Sequence, residues 1–348
     1  MTAPALTAGA VRVRRWTLLA RAASATVAAL GVALIFVPAV LGADATQKLT
    51  SLLILVILAA MWNALAGFGG LVSVGQQAFV GLGAYGTVWF VHHGMTPYAG
   101  MLAATLACGA IALLISLFAL RLRAVQFAIG MWVIAEIFAI LVTLDSSLGA
   151  GTGTSLIEFN FYAPDERQQY TYWWALGAAA VLLVALFVLL RSPLGASLQA
   201  IRDDEAAAAS LGVRVMAGKR VLFVLAGLGC GAAGALTLAN TLFIEPTSIF
   251  SVQWTAYMIF MVLVGGLGTY EGPILGAVLL WIIQTEFIDN GSAYLIGLGA
   301  TAIVFSLLLP RGLWGTVVDR FGVRLLPVGY ELVRVDDTAS GSNDGEGG

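Results

Sequence analysis

The interior of this sequence has one run of four consecutive charged residues, Arg202-Asp203-Asp204-Glu205, followed by Ala206, Ala207, Leu211 and Gly212. Such a run can carry ion pairs or a contact with another protein, but catalysis would need a nucleophile, a metal set or a cofactor loop beside it. His92 and His93 are adjacent, a poor spacing for a metal pair, and read as interfacial polar residues. Cys108 and Cys230 each lie inside an apolar stretch without a metal-ligand neighbour, and read as small buried hydrophobes and not as a disulfide. No Gly-x-x-x-x-Gly-Lys-Ser/Thr loop occurs, since Lys219 follows Gly218 but precedes Arg220. The chain therefore lacks the usual means of binding and hydrolysing ATP. No catalytic residue, metal or cofactor is expected, and ATP-driven work would take its nucleotide site from another subunit.

The remaining chemistry sits within apolar runs. A charge such as Glu136 at a helix centre costs about 2.5–3.5 kcal/mol on insertion scales. It either faces a cavity or pathway, or bonds a neighbouring helix, or stays neutral through a raised pKa. Asn63, Ser73, Gln76 and Gln77 are uncharged, and either line a passage or tie helices together.

These residues must be positioned by helices that live in lipid. Hydrophobic residues make up 60% of the chain and charged residues 10%, with mean hydropathy +0.94. Soluble domains carry about 25% charged residues. The net charge of −2 and pI near 5.7 give no nucleic-acid footprint. Apolar stretches long enough to cross about 30 Å of hydrocarbon recur along the chain. They predict an all-α polytopic membrane protein of about eight to ten transmembrane helices. Candidate spans are 22–42, 49–68, 71–91, 97–120, 124–144, 170–190, 221–243, 255–268, 272–287 and 292–309. The pair at 255–287 reads either as two full spans or as half-helices. The third candidate is interrupted by Gly75, Gln76, Gln77, Gly81, Gly83 and Gly86. The first is too long for the core of a signal peptide and reads as a retained helix.

Basic residues set the orientation. With both termini cytoplasmic, the inner segments hold 15 of the 17 basic residues, and only Lys48 and Arg167 fall outside. That asymmetry follows the positive-inside rule. The organisation expected is a basic cytoplasmic N-terminus over 1–21, a transmembrane domain over 22–310 and a cytoplasmic tail over 311–348. Small polar residues leave the tail disordered from about 336. Within the membrane domain, 145–169 forms an external loop and 191–220 a cytoplasmic one. Gly227, Gly231, Gly234 and Ala235 give the seventh span a close-packing side.

The cytoplasmic loop predicts a single amphipathic helix over 193–212. Ser192 caps it, Pro193 occupies its first turn and Gly212 ends it. Leu194, Leu198, Ile201, Ala208 and Leu211 share one face, and Arg202 pairs with Glu205 three residues on. The pattern fits an interfacial connector or a helix that docks into a cytoplasmic partner, without choosing between them.

Ala200–Val213 resembles the cytoplasmic loop signature of permease subunits of ABC importers for branched-chain amino acids, down to Gly212 seven residues after Glu205. Gly67–Tyr85 is similar to the family's glycine-rich early helix. Phe127-Ala128-Ile129-Gly130 with Glu136 resembles its mid-chain helix, and Met261–Ala277 its late Gly-Pro turn. The family often has His where Gln76 stands and Arg where Ala139 stands. The resemblance spans most of 50–310. It implies a membrane permease translocating branched-chain or other apolar amino acids, with urea and amides less favoured, by alternating access in a bacterial inner membrane. It also implies a second homologous permease subunit, two cytoplasmic ABC ATPases and an external solute-binding protein. Arg202, Asp203, Glu205, Ala206, Ala207, Leu211 and Gly212 then become the ATPase-coupling residues. The rival readings are an ion-coupled secondary transporter and a non-transporting membrane scaffold. Cysteine reporters at 145–169 should label from outside sealed cells, and those at 195–215 only after permeabilisation. External labelling of 195–215 would overturn the orientation.

Overall fold

The computed structural model describes residues 11–14, 18–287, 292–309, 311–321 and 331–334. Its first half comprises β1 (Val11–Arg14), α1 (Leu18–Ile35), α2 (Val37–Val40), α3 (Ala43–Asn63), α4 (Gln77–His92), α5 (Pro97–Ala119), α6 (Ala124–Leu144) and β2 (Thr154–Ser155). Then follow α7 (Pro164–Arg191), α8 (Pro193–Asp203), α9 (Glu205–Ser210), α10 (Val215–Thr241), β3 (Phe243–Ile244) and α11 (Pro246–Ile249). The last elements are α12 (Gln253–Gly265), α13 (Gly272–Phe287), α14 (Ser292–Leu308), α15 (Gly312–Phe321) and β4 (Glu331–Arg334).

Among the described residues, six helical stretches are long and apolar enough to cross a membrane: Ala43–Phe68, Pro97–Ala119, Ala124–Leu144, Pro164–Arg191, Val215–Thr241 and Pro246–Gly265. Gly272–Phe287 and Leu295–Phe305 are shorter apolar helices. The protein is a multi-pass, all-α membrane protein, as its composition requires.

Several boundaries differ from the sequence reading. The first span stops at Ile35, because Pro38 lacks the N–H that would continue it and opens α2 instead. The third candidate becomes helical only at Gln77. Before it, α3 loosens into a π-helical turn over Ala64–Phe68, and the chain leaves helical geometry with Gly70 at φ +65°. The proposed tail disorder lies outside the described residues.

Burial separates a centre from a rim. The apolar windows of α3 and α10 are each 78% buried, against 22% for α6 and 28% for α7. What lets α10 sit at the centre is the absence of side chains along one side. A Cβ on Gly83 would fall on the carbonyl of Gly231, and one on Gly234 on the carbonyl of Val80, so α4 and α10 touch backbone to backbone. Gly227 faces the methyl of Ala112 and Gly231 faces Cys108, which bring α5 against the same helix. The close-packing reading of this span holds.

Short strand pairs tie the ends. β2 pairs antiparallel with β3, fastening the 145–169 loop to the end of α10, and β1 pairs with β4. Asp145 caps the turn after α6, accepting from the N–H and hydroxyl of Ser147 at 2.8 and 2.7 Å, and these bonds hold its carboxyl below the usual range. Gly83→Leu and Gly234→Leu should each destabilise the detergent-solubilised protein by at least about 1–3 kcal/mol. Gly177→Leu on α7, where a Cβ meets nothing within 4 Å, should not. Equal thermal unfolding of all three variants would refute the backbone-contact account.

Candidate functional site

The charged run lies where α7 has turned back on itself. Pro193 opens α8, but the Ser192 hydroxyl donates to Leu189 O at 2.6 Å and does not cap the new helix. Asp204 then breaks the segment. Its backbone is extended, at φ −155°, and its Oδ1 accepts from the N–H groups of Ala206 and Ala207 at 2.9 and 3.0 Å. The expected single helix is thus two, α8 and α9, because an Asp side chain can satisfy the free N–H groups of a new helix start better than it serves a helix interior. Gly212 ends the unit in left-handed geometry at φ +83°, with Val213 N–H donating back to Ala208 O. That part of the expectation stands.

Leu198, Ile201 and Ala208 are buried toward the bundle, whereas Leu194 and Leu211 are exposed, so the apolar face is narrower than the pattern indicates. On the outer side, Ala206, Ala207 and Ala209 are exposed and Leu211 is 84% exposed.

The break at Asp204 also changes the ion pairs. Arg202 does not pair with Glu205. Its Nε and Nη2 donate to Asp203 at 3.0 and 2.8 Å, and its Nη1 donates to Gly67 O at 3.0 Å, at the π-helical end of α3. Glu205 instead reaches Lys219 on α10 at 2.6 Å. The Lys219 side chain is only 10% exposed, so its ammonium depends on that carboxylate. Asn63 completes the junction. Its Nδ2 donates to Thr269 O at 2.8 Å, and its Oδ1 accepts from Gly268 N–H at 2.9 Å. Three separate segments are therefore fastened to one end of the bundle: the α8–α9 elbow, the end of α3 and the α12–α13 turn. Asn63 is a tie between helices here.

Ser73, Gln76 and Gln77 come together beyond this junction, at the start of α4, and all are fully buried. Trp62 Nε1 donates to Ser73 O at 2.9 Å, across the non-helical segment. Ser73 Oγ accepts from Gln76 Nε2 at 3.2 Å, and Gln77 Oε1 accepts from the Thr255 hydroxyl of α12. Gln76 Oε1 and Gln77 Nε2 have no protein partner although they are buried. Glu136 is elsewhere, on the exposed side of α6. Lys219, Asp204, Gly67, Gly268 and Thr255 were not among the sequence candidates. Asp204, inside the charged run, and Lys219, a lysine at the start of an apolar run, carried a visible signal.

Residues 45–315 match the family model described as the permease component of the branched-chain amino acid transport system. The chain belongs to that family. It is 30% identical over 291 residues to the high-affinity branched-chain amino acid transport permease LivM of Salmonella typhimurium, covering 76% of this chain and 68% of that one. Identity to LivM of Escherichia coli is also 30%, over 296 residues with the same coverage. A probable LivM of Methanocaldococcus jannaschii is 28% identical over 172 residues, 49% of each chain. No solved structure matches the chain significantly.

This family member is a permease subunit of an ABC importer, and ATP hydrolysis belongs to partner subunits. The family match encloses both the elbow and the helix break. Glu205→Ala should destabilise the protein by about 1 kcal/mol or somewhat more, because Lys219 loses its carboxylate while Glu205 itself is more than half exposed. Adding Lys219→Met should recover most of that loss in thermal unfolding. Additive losses would mean that the two side chains do not depend on each other.

Proposed function

We propose that this permease carries branched-chain or other apolar amino acids across a bacterial inner membrane. It works with a second permease chain, two cytoplasmic ATPases and an external solute-binding protein. The observation that carries the reading is the wiring of the elbow. An exposed apolar surface at Ala206, Ala207 and Leu211 is joined through Arg202 and Glu205 to the ends of α3 and α10.

A partner seated on α9 that moves toward its twin would pull on Glu205 and hence on Lys219 and α10. Through α8 it would also pull Arg202, which holds Gly67. Gly67 lies just before the non-helical segment that leads to Ser73, Gln76 and Gln77. Breaks in a membrane helix are tolerated only where protein or a water-filled cavity satisfies the backbone. Two unpartnered amide atoms beside this break make it a point that gains from hydration when the bundle opens. Neutral amides and hydroxyls there suit a substrate without net charge. They also weigh against proton coupling at this break, since none of Ser73, Gln76, Gln77 and Thr255 ionises.

The test is labelled leucine uptake and substrate-stimulated ATP hydrolysis, in proteoliposomes with ATPases and binding protein present. Gly212→Val should retain the ATPases and uncouple them, because a β-branched residue at φ +83° costs about 1–3 kcal/mol of strain in a place where space is open. Gly212→Asn, which tolerates left-handed geometry, should stay coupled. Full coupled turnover by Gly212→Val would reduce the elbow to a connector.

A further inference from the structure

α6 is anchored along a single stripe. Phe127, Met131, Ala135 and Val142 are its buried residues, and it packs chiefly on α4 and α11. A Cβ on Gly75 would fall on the Met131 carbonyl, so α6 lies directly against the helix break. The rest of its surface is open, including Ile129, Trp132, Val133, Ile137 and Ile140. Apolar side chains of this kind suit lipid, and the comparable face of α7, with Val181, Val184 and Val188, needs no other explanation. Glu136 does not suit lipid. It stands in the middle of the 21-residue helix, exposed on the open face, without a hydrogen bond or ion pair to any described residue. Either end of α6 is eight or more residues away, which is about 12 Å at 1.5 Å per residue, too far for a short carboxylate to reach the interface.

We infer that the open face of α6, centred on Glu136, is the seam with the second permease chain, and that Glu136 accepts a hydrogen bond from a donor on that chain. The inference rests on the importer reading above. A carboxylate at mid-membrane is retained where a partner satisfies it. Seating a chain there covers the charge and the apolar residues around it together. A second copy of this chain, related by two-fold symmetry about Glu136, would set carboxylate against carboxylate. The face therefore fits a related chain that presents an amide, hydroxyl or basic group at this depth. Because the buried side of α6 rests on Gly75, the helix itself separates this seam from the break that holds Gln76 and Gln77.

Photo-crosslinking residues placed at Val133 and Ile140 test this in membranes containing the full importer, with Val184 of α7 as the lipid-facing control. The expected products are adducts between this chain and the second permease from both α6 positions, and lipid adducts alone from Val184. Glu136→Gln should keep the two permeases together. Glu136→Leu should lower recovery of the second permease by about tenfold in detergent, as loss of a charge-assisted hydrogen bond implies. Lipid adducts alone at Val133 and Ile140 in an importer that still transports would overturn the seam and leave the proposed function standing. Adducts to another copy of this chain would overturn the choice of partner. Failure of any permease and ATPase complex to assemble around the unaltered chain would overturn the proposed function itself.

Discussion

Hydrocarbon gives a helix no reason to leave lipid for another helix unless the two surfaces fit closely, so association depends on contact area and on how near the backbones can come. In this permease that condition is met around α10. Gly231 and Gly234 leave one side of the helix bare, Gly83 does the same on α4, and the two meet carbonyl to α-carbon. Once α10 is fixed against α4 and α5, α3 and α7 pack around it. The helix then presents Lys219 at one end, and β3 follows it at the other.

Several polar side chains serve main-chain groups where helices begin, end or break. Asn63 serves two backbone groups of the α12–α13 turn, Arg202 serves the carbonyl of Gly67 beyond the end of α3, and Asp204 serves the free N–H groups of α9. Each satisfies a main-chain group that has no partner within its own helix. Arg202 and Glu205 fasten the α8–α9 elbow to the ends of α3 and α10. Gln76 and Gln77 depart from this pattern, since each is buried with one amide atom unanswered. A group left so is more stable with water or another polar partner beside it.

The sequence alone determined the class of the molecule, because a chain with 10% charged residues has no alternative to lipid as its solvent. It also determined the close-packing side of α10 and the left-handed stop at Gly212, since both follow from the absence of a Cβ. The motif order around 50–310 was enough to point to the permease family. Tertiary structure decided the rest. Glu205 was within reach of Arg202 by spacing, yet a backbone turn at Asp204 carried it to Lys219, fourteen residues on. Asn63 found its partners more than two hundred residues away. Glu136 and Gln77 looked alike as polar residues in apolar runs, and only packing put one on an open face and the other fully inside. Local spacing records which groups a helix can bring together, whereas these pairings depend on which helices share an end of the bundle.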